Sequence, residues 1–282
     1  MSYEQYRPGS YKMLPEVVKN LLIINGLFFL ATYVFQLRFG LDLADYLGLH
    51  YFEANKFRPF QFITYMFMHG GFTHIALNMF ALWMFGSNME NVWGSKRFLT
   101  FYIFTGIGAA ITHFAVVYFQ IAPVMDSINF YLSDPTSENL QHFLNSSAFD
   151  INLIDVQSNY TDFVRKYNDL IVTNPIQAKQ ISIDFIQLYK ADFLNAPTVV
   201  GASGAVFGLL LAYGMTFPNN IIYVYFAIPL KAKYFVIIYG LIELYSAFES
   251  NDNVAHFAHL GGMLFGIVLI LFWRNRRFNK YL

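Results

Sequence analysis

Long apolar runs separated by short polar connections dominate the chain. A run of about 20 mostly apolar residues is long enough for a helix to cross the roughly 30 Å hydrocarbon layer of a membrane. Six such runs, which we number spans one to six, lie near residues 18–37, 71–91, 97–119, 199–217, 233–248 and 255–273. The pattern predicts an all-α, polytopic membrane protein with six transmembrane helices.

A polar stretch over residues 122–196 interrupts this pattern between spans three and four. It is rich in Asn, Asp, Ser and Gln, and it contains no apolar run long enough to cross a membrane. Amphipathic segments at 163–170 and 181–194 predict a small helical cap on the outer, aqueous side. The cap could gate substrates or bind a partner, or it could be a passive elaboration. We therefore expect three parts, which are residues 1–121 with spans one to three and the first outer loop, the insert, and residues 197–282 with spans four to six.

Composition agrees with a membrane protein and removes several classes of function. The chain is 56% hydrophobic and only 13% charged, and its formal net charge is zero. A nucleic-acid partner is not expected, because such a protein needs a basic surface to replace phosphate counterions. There is no cysteine, which excludes disulfides, thiolate metal sites and a thiol nucleophile.

The basic residues of the short connections predict the orientation in the membrane. Lysine and arginine are retained on the cytoplasmic side. The connections on the opposite side are mainly acidic. The basic residues precede span one and follow spans two, four and six: Arg7, Lys12, Lys19, Lys96, Arg97, Lys231, Lys233, Arg274, Arg276 and Arg277. We expect both termini in the cytoplasm. The first span follows a polar leader and lacks an A-x-A-like cleavage site, so we interpret it as a retained helix. No organelle-targeting leader is visible, and a bacterial inner (cell) membrane is the expected location.

Polar residues inside predicted spans are costly in a membrane and are candidates for function. In span two, the i, i+4 spacing of His74 and Asn78 places both side chains on one face, and His69 lies just before them. Both side chains could donate hydrogen bonds to one point. Alone, this cluster is equally well explained as polar contacts between helices, which His and Asn commonly supply in membranes.

A second cluster, Gly201, Ala202, Ser203 and Gly204, opens span four at its outer end. It is not the G-x-S-x-G turn of soluble hydrolases, because the residue after Gly204 is alanine. Alone, it is better explained as a packing motif, since Gly204 and Gly208 form a G-x-x-x-G pair.

The third cluster lies in span six, where His259, Gly262 and Gly266 share one helix face. The glycines would let another helix approach closely and bring the histidine towards it. His256 lies one turn earlier and is an alternative base. We prefer His259, which is deeper and lies on the glycine face.

The predicted topology brings the three clusters to a similar depth, because spans two, four and six all run from outside to inside. A histidine can take the proton of a serine hydroxyl and activate it as a nucleophile, which indicates Ser203 as nucleophile and His259 as general base. No acid lies close to His259 within span six, so a dyad oriented by packing is expected rather than a triad. His74, Asn78 and the Ser203 backbone N–H fit the need for donors to the oxyanion.

At these residues the sequence closely resembles the rhomboid family of intramembrane serine proteases. The resemblance covers all six spans and rests on His69, His74-x-x-x-Asn78, Gly201-x-Ser203-Gly204 and Ala258-His259-x-x-Gly262-x-x-x-Gly266. Two lesser matches are Glu90, where the family has a glutamate ending the second helix, and Phe57-Arg58, where it has Trp-Arg.

The resemblance implies a six-helix rhomboid-type bundle that cleaves within or beside the transmembrane segment of a single-pass protein in the lipid bilayer. It implies no cofactor and no metal, and entry of the substrate near the fifth helix. Phe207 resembles an aromatic residue that packs beside the catalytic histidine, although a core or lipid-facing role explains it equally well. Gly201, Gly204, Gly262, Gly266 and His69 would support the site. The insert is the main departure from the minimal bacterial pattern.

Two other classes of function are open to such a sequence. A catalytically silent relative would bind membrane clients without cutting them, and the presence of both Ser203 and His259 favours the protease over it. A small transporter would use carboxylates and inverted repeats. The acids near the spans, Glu90 and Glu243, lie towards helix ends, and no internal repeat is visible.

Overall fold

A computed structural model describes residues 11–224, 227–249 and 253–278, so Arg7 lies outside the described residues. The fold is mostly helical, as predicted. In chain order the helices are α1 (Glu16–Phe39), α2 (Leu43–Leu47), α3 (Gln61–Thr64), α4 (Phe72–Ala81), α5 (Ser87–Trp93), α6 (Ser95–Ser133), α7 (Ser137–Leu144), α8 (Ile154–Thr173), α9 (Pro175–Asn195), α10 (Ser203–Thr216), α11 (Ala232–Glu249) and α12 (Asn253–Phe278).

Short irregular segments and strands complete the described chain. A 3₁₀ turn covers Tyr65–Phe67, and a π-helical segment covers Leu82–Gly86 between α4 and α5. Strands β1 (Leu49–His50) and β2 (Thr198–Val199) pair antiparallel, with Leu49 opposite Val199. Strands β3 (Ile221–Val224) and β4 (Ile228–Lys231) form a second antiparallel pair in the connection between spans four and five. None of these strands was predicted.

Among the described residues, three helices are long and apolar enough to cross a membrane. They are α1, α6 and the Ala255–Arg274 part of α12. The second predicted span is helical from Phe72 to Trp93, but it is divided by the π segment. The fourth is shorter than predicted, because α10 begins at Ser203 and has 14 residues.

The start of α1 is capped by a residue of α5. Pro15, which precedes α1, makes no side-chain cap. Instead, the carboxylate of Glu90 accepts hydrogen bonds from the backbone N–H groups of Val17 at 3.0 Å and Val18 at 2.8 Å. A buried helix end needs such partners, because its first N–H groups have no acceptor within the helix. Glu90 therefore has a structural role at the start of α1.

The chain divides into two compact units. The first comprises residues 1–47, 62–112 and 200–282, and within it α10 packs against α12 and α11. The second comprises residues 48–61 and 113–199, so the first outer loop clusters with the insert. Helix α6 contributes residues to both units. It continues to Ser133, past Pro123, whereas the sequence pattern placed the end of span three near residue 119.

The second unit has a core of its own, built from large side chains of α6 to α9. Tyr131 and Tyr189 each bury a hydroxyl that finds a partner: Tyr131 Oη lies 2.6 Å from Ser182 Oγ, and Tyr189 donates to the carbonyl of Ala148. The predicted amphipathic segments lie in α8 and α9. The buried residues of this core are Ile128, Tyr131, Leu140, Phe143, Val156, Phe163, Phe185, Ile186 and Tyr189.

Candidate active site

Ser203 is the first residue of α10, and a tight turn presents it. Gly201, two residues earlier, has φ of 129°, a conformation that L side chains rarely adopt. Its N–H donates to the carbonyl of Tyr65 at 2.9 Å. A Cβ at this position would lie 2.9 Å from the ring of His74. Glycine is therefore needed for both the turn and the approach of His74.

Helices α12 and α10 meet along a glycine seam, which consists of Gly204, Gly208, Gly262 and Gly266. A Cβ at Gly262 would lie 1.9 Å from the carbonyl oxygen of Gly204, a distance that no real structure allows. One turn further on, Gly266 faces Gly208, with a Cβ contact of 3.6 Å to its Cα. The two backbones thus touch directly, as small residues permit between membrane helices. The faces that the sequence pattern paired are the faces in contact.

His259 reaches Ser203 across this seam. Its Nε2 lies 2.9 Å from Ser203 Oγ, which is a hydrogen-bond distance. The ring of Phe207, one turn after Ser203, stacks on the His259 ring with centroids 4.2 Å apart and planes 5° apart. Phe207 is buried, and Tyr239 of α11 stacks near it at 5.3 Å. Packing therefore fixes the plane of the histidine ring.

Glu243 is the residue of the site that the sequence pattern did not reveal. It is buried on α11, and its Oε2 lies 3.0 Å from Nδ1 of His259 and 2.7 Å from Nδ1 of His256. The expectation that His259 has no acidic partner considered only span six, and it missed this contact from span five. The signal was available, because a lone carboxylate six residues inside an apolar helix needs a partner in a membrane.

Among the residues that the structure describes, these same three side chains also form a group whose nitrogen and oxygen atoms could bind a metal ion. Glu243 Oε2 and the Nδ1 atoms of His256 and His259 lie within 4.8 Å of one another. The Oε2–Nδ1 distances are those of hydrogen bonds. A bound metal ion would replace both of them, since it would take the same lone pairs.

His74 and Asn78 of α4 face the same region as Ser203. The Nδ1 of His74 accepts from the N–H of Gly70 at 3.4 Å, which leaves Nε2 as the protonated nitrogen of a neutral ring. Asn78 Nδ2 donates to the His74 carbonyl at 3.0 Å and keeps a second N–H. His69 packs edge-on against the His74 ring at 5.1 Å. His74 and Asn78 thus each have a donor to offer.

A cavity of about 390 Å³ joins these groups. Ser203, His259, His74 and Asn78 line it, and the rest of its wall is apolar or aromatic: Leu77, Phe80, Ala81, Met84, Phe85, Val206, Phe207, Leu210, Phe235 and Tyr239. An apolar pocket with a few convergent polar groups is typical of a binding or catalytic site. The two histidines, the serine and the asparagine that the sequence predicted are therefore brought to one place.

Comparison with known proteins identifies the same region. A family model described as the Rhomboid domain matches residues 56–122 and 181–276. "Rhomboid-like protein 11, chloroplastic" of Arabidopsis thaliana is 33% identical over 97 residues, which are 34% of this chain and 32% of that protein. "Rhomboid protease GluP" of Bacillus subtilis is 40% identical over 52 residues, 18% of this chain and 10% of that protein. "Rhomboid protease AarA" of Providencia stuartii is 30% identical over 100 residues, 33% of this chain and 36% of that protein. The chain thus matches 36% or less of the length of each of these relatives.

Proposed function

Because the chain belongs to the rhomboid family, we propose that it is an intramembrane serine endopeptidase in which Ser203 is the nucleophile and His259 the general base. The observation that carries the proposal is the 2.9 Å distance between Ser203 Oγ and His259 Nε2. Two relatives are named rhomboid proteases, which supports proteolysis at the level of the family.

In the proposed mechanism, His259 Nε2 takes the proton of Ser203 as its Oγ attacks the carbonyl carbon of the substrate. The negative charge that develops on the carbonyl oxygen is stabilised by preorganised donors, which are His74, Asn78 and the backbone N–H of Ser203 at the start of α10. His259 then gives its proton to the leaving amine. Water releases the acyl group from Ser203 in a second, similar step, and no cofactor or metal is needed.

The proposed substrates are single-pass transmembrane proteins in the lipid bilayer. The mainly apolar wall of the cavity supports a substrate of this kind. The length of α10 supports cleavage below the membrane surface. Its 14 residues extend about 21 Å, which is less than the roughly 30 Å of hydrocarbon. Phe235 and Tyr239 of α11 line the cavity, which supports entry of the substrate near the fifth span.

The chain is a membrane protein, and we propose a cell membrane with both termini in the cytoplasm. The support is the placement of Lys and Arg in the short connections. Cysteines introduced before α1 and after α12 should resist a membrane-impermeant thiol reagent in intact cells and react after permeabilisation. Labelling in intact cells would contradict the orientation.

The test of the proposed function compares the purified wild type with Ser203→Ala and His259→Ala. We expect the wild type to cleave a single-pass reporter substrate and to react with a fluorophosphonate probe. Ser203→Ala should lose both activities, and His259→Ala should lose cleavage. Ser158→Ala and His142→Ala, at exposed positions of the insert, are matched controls and should keep both. A folded wild type that neither cleaves several substrates nor reacts with the probe would contradict the proposal and favour a silent, client-binding relative.

A further inference from the structure

We propose that Glu243 positions His259 for catalysis, so that the site works as a Ser–His–Glu triad whose acid comes from a different helix. The inference rests on the proposed function, since it assigns a role within that reaction. It starts from one buried carboxylate oxygen, Glu243 Oε2, which lies 3.0 Å from His259 Nδ1.

The two hydrogen-bond partners of the His259 ring determine which of its nitrogens carries the proton. A neutral imidazole carries one N–H donor and one acceptor nitrogen. A carboxylate only accepts, so the proton of His259 must reside on Nδ1, where it is donated to Glu243. The lone pair then resides on Nε2, which is the atom 2.9 Å from Ser203 Oγ. Glu243 therefore holds the ring in the tautomer that a general base needs.

Packing by itself does not make this selection. Phe207 stacks flat on the His259 ring, and a flat contact is compatible with the ring turned over by 180° about its Cβ–Cγ bond. The turned ring would direct carbon atoms towards Ser203. The bond from Nδ1 to Glu243 distinguishes the two orientations, because only one of them places a donor against the carboxylate. Stacking fixes the plane of the ring, and Glu243 fixes its direction.

Glu243 also faces the charge that the reaction creates. When His259 takes the serine proton it becomes an imidazolium, and a carboxylate 3.0 Å away favours that cation. The carboxylate is buried on α11, so water screens this interaction less than it would at a surface. The geometry thus supports both orientation before the proton transfer and stabilisation after it.

His256 holds the carboxylate in place. Its Nδ1 lies 2.7 Å from the same oxygen, Glu243 Oε2, and it is one turn before His259 on α12. It also lies edge-on to the His259 ring, with centroids 6.3 Å apart, and we expect its main effect to pass through Glu243. We expect His256→Ala to lower activity less than a change of Glu243 does.

The experiment replaces Glu243 by Gln, which keeps the shape of the side chain and removes its charge. The amide can also present N–H to Nδ1 and so favour the wrong tautomer. In soluble serine proteases the equivalent change of the triad acid lowers kcat about 10⁴-fold. We expect Glu243→Gln to lower kcat on the order of 10²–10⁴-fold, with KM within about twofold of wild type, and to slow fluorophosphonate labelling in parallel. Glu249→Gln, at an exposed position of α11, is the matched control and should leave kcat unchanged.

Two further measurements keep the inference testable if Glu243→Gln does not fold. Glu243→Asp retains a carboxylate one methylene further from the ring, and it should lose kcat to an intermediate extent with KM unchanged. In the wild type, the ¹⁵N NMR shifts of His259 should report a protonated Nδ1 and an unprotonated Nε2. A folded Glu243→Gln enzyme with kcat within about threefold of wild type, or His259 protonated on Nε2, would overturn the positioning role. The proposed function would stand in that case, provided that Ser203→Ala remains inactive. An inactive wild type would instead overturn the proposed function.

Discussion

The seam of the first unit and the core of the second are built on opposite principles. In the seam, Gly262 lies against Gly204 with no side chain between the two backbones. In the second unit, the rings of Phe163 and Phe185 stack 4.0 Å apart with planes 4° apart. Lipid tails are as apolar as leucine, so burying large apolar side chains gains little between membrane helices and close backbone contact takes over. In water, the burial of large side chains is the main driving force.

The outer surfaces of the two units differ in the same way. Leucines of several helices in the first unit are more than half exposed, among them Leu27 at 60%, Leu77 at 66% and Leu241 at 59%. On α8 of the second unit, the exposed side chains include the ion-paired group Asp162, Arg165 and Lys166. The exposed leucines of the first unit suit lipid, and this ion-paired group of the second unit suits water. A polytopic membrane protein needs both solutions in one chain.

Among the changes that test this comparison of the two units, the largest expected effect comes from adding one methyl group to the seam. A Cβ at Gly262 would overlap the carbonyl oxygen of Gly204, so Gly262→Ala must push α12 away from α10. A misplacement of about 1 Å at a catalytic pair can reduce the rate 10²-fold. We expect cleavage to fall at least about 10²-fold, measured on the reporter substrate in detergent. Gly26→Ala on α1, where a Cβ meets nothing within 4 Å, should have no effect. Cleavage within tenfold of wild type for Gly262→Ala would contradict the close contact.

A deletion in the core of the second unit should have a local effect. Phe185→Ala removes a buried ring that stacks on Phe163, which typically costs about 3–5 kcal/mol. We expect faster proteolysis and hydrogen exchange within residues 122–196 of the whole protein. Fluorophosphonate labelling of Ser203 should persist, because the Ser203–His259 pair lies in the first unit. Val172→Ala, at an 84% exposed position, is the control. Loss of labelling would show that the two units are not independent.

The smallest effect is expected at the surface of the second unit. The Lys166 ammonium and the Arg165 guanidinium beside Asp162 hold the pKa of its carboxyl below its ordinary value. A carboxyl whose pKa is lowered on folding stabilises the folded state above the unfolded pKa, and this contribution is lost as pH falls through the folded pKa. The Asp162 side chain is 47% exposed, and solvent screens its ion pairs. We therefore expect Asp162→Asn to lower the midpoint of thermal unfolding only slightly at pH 7, and to leave it unchanged at a pH below the folded pKa of Asp162. A clear loss of stability at pH 7 would contradict this assignment.

The bounds of a helix could be predicted well from the sequence where the helix coincides with an apolar run. The runs at 18–37 and 233–248 correspond closely to α1 and α11. The helix of span three is longer than its apolar run, since α6 continues to Ser133. Proline removes one backbone donor without ending every helix, and the packing of Ile128 and Tyr131 in the core of the second unit accounts for the continuation. The π segment and the short strands also depend on tertiary contacts, which periodicity does not contain.

The site was predictable to the extent that its residues lie on recognisable helix faces. The spacing of His259, Gly262 and Gly266 placed the histidine beside the glycine seam, and in the structure His259 lies at hydrogen-bond distance from Ser203. Glu243 was missed because its partners are on another helix. The 16 residues that separate it from His259 carry no periodic signal, and only the folded helices bring the two side chains together.

The seam also bears on the order in which the parts of the proposed active site are made. Ser203 and His259 are 56 residues apart in sequence, so the ribosome releases the proposed nucleophile before the proposed base. Until α12 packs against α10, Ser203 lacks the hydrogen bond to His259 that the proposed mechanism needs. Contact between the two glycine faces is therefore the step that would complete the proposed Ser203–His259 pair while the chain is being made.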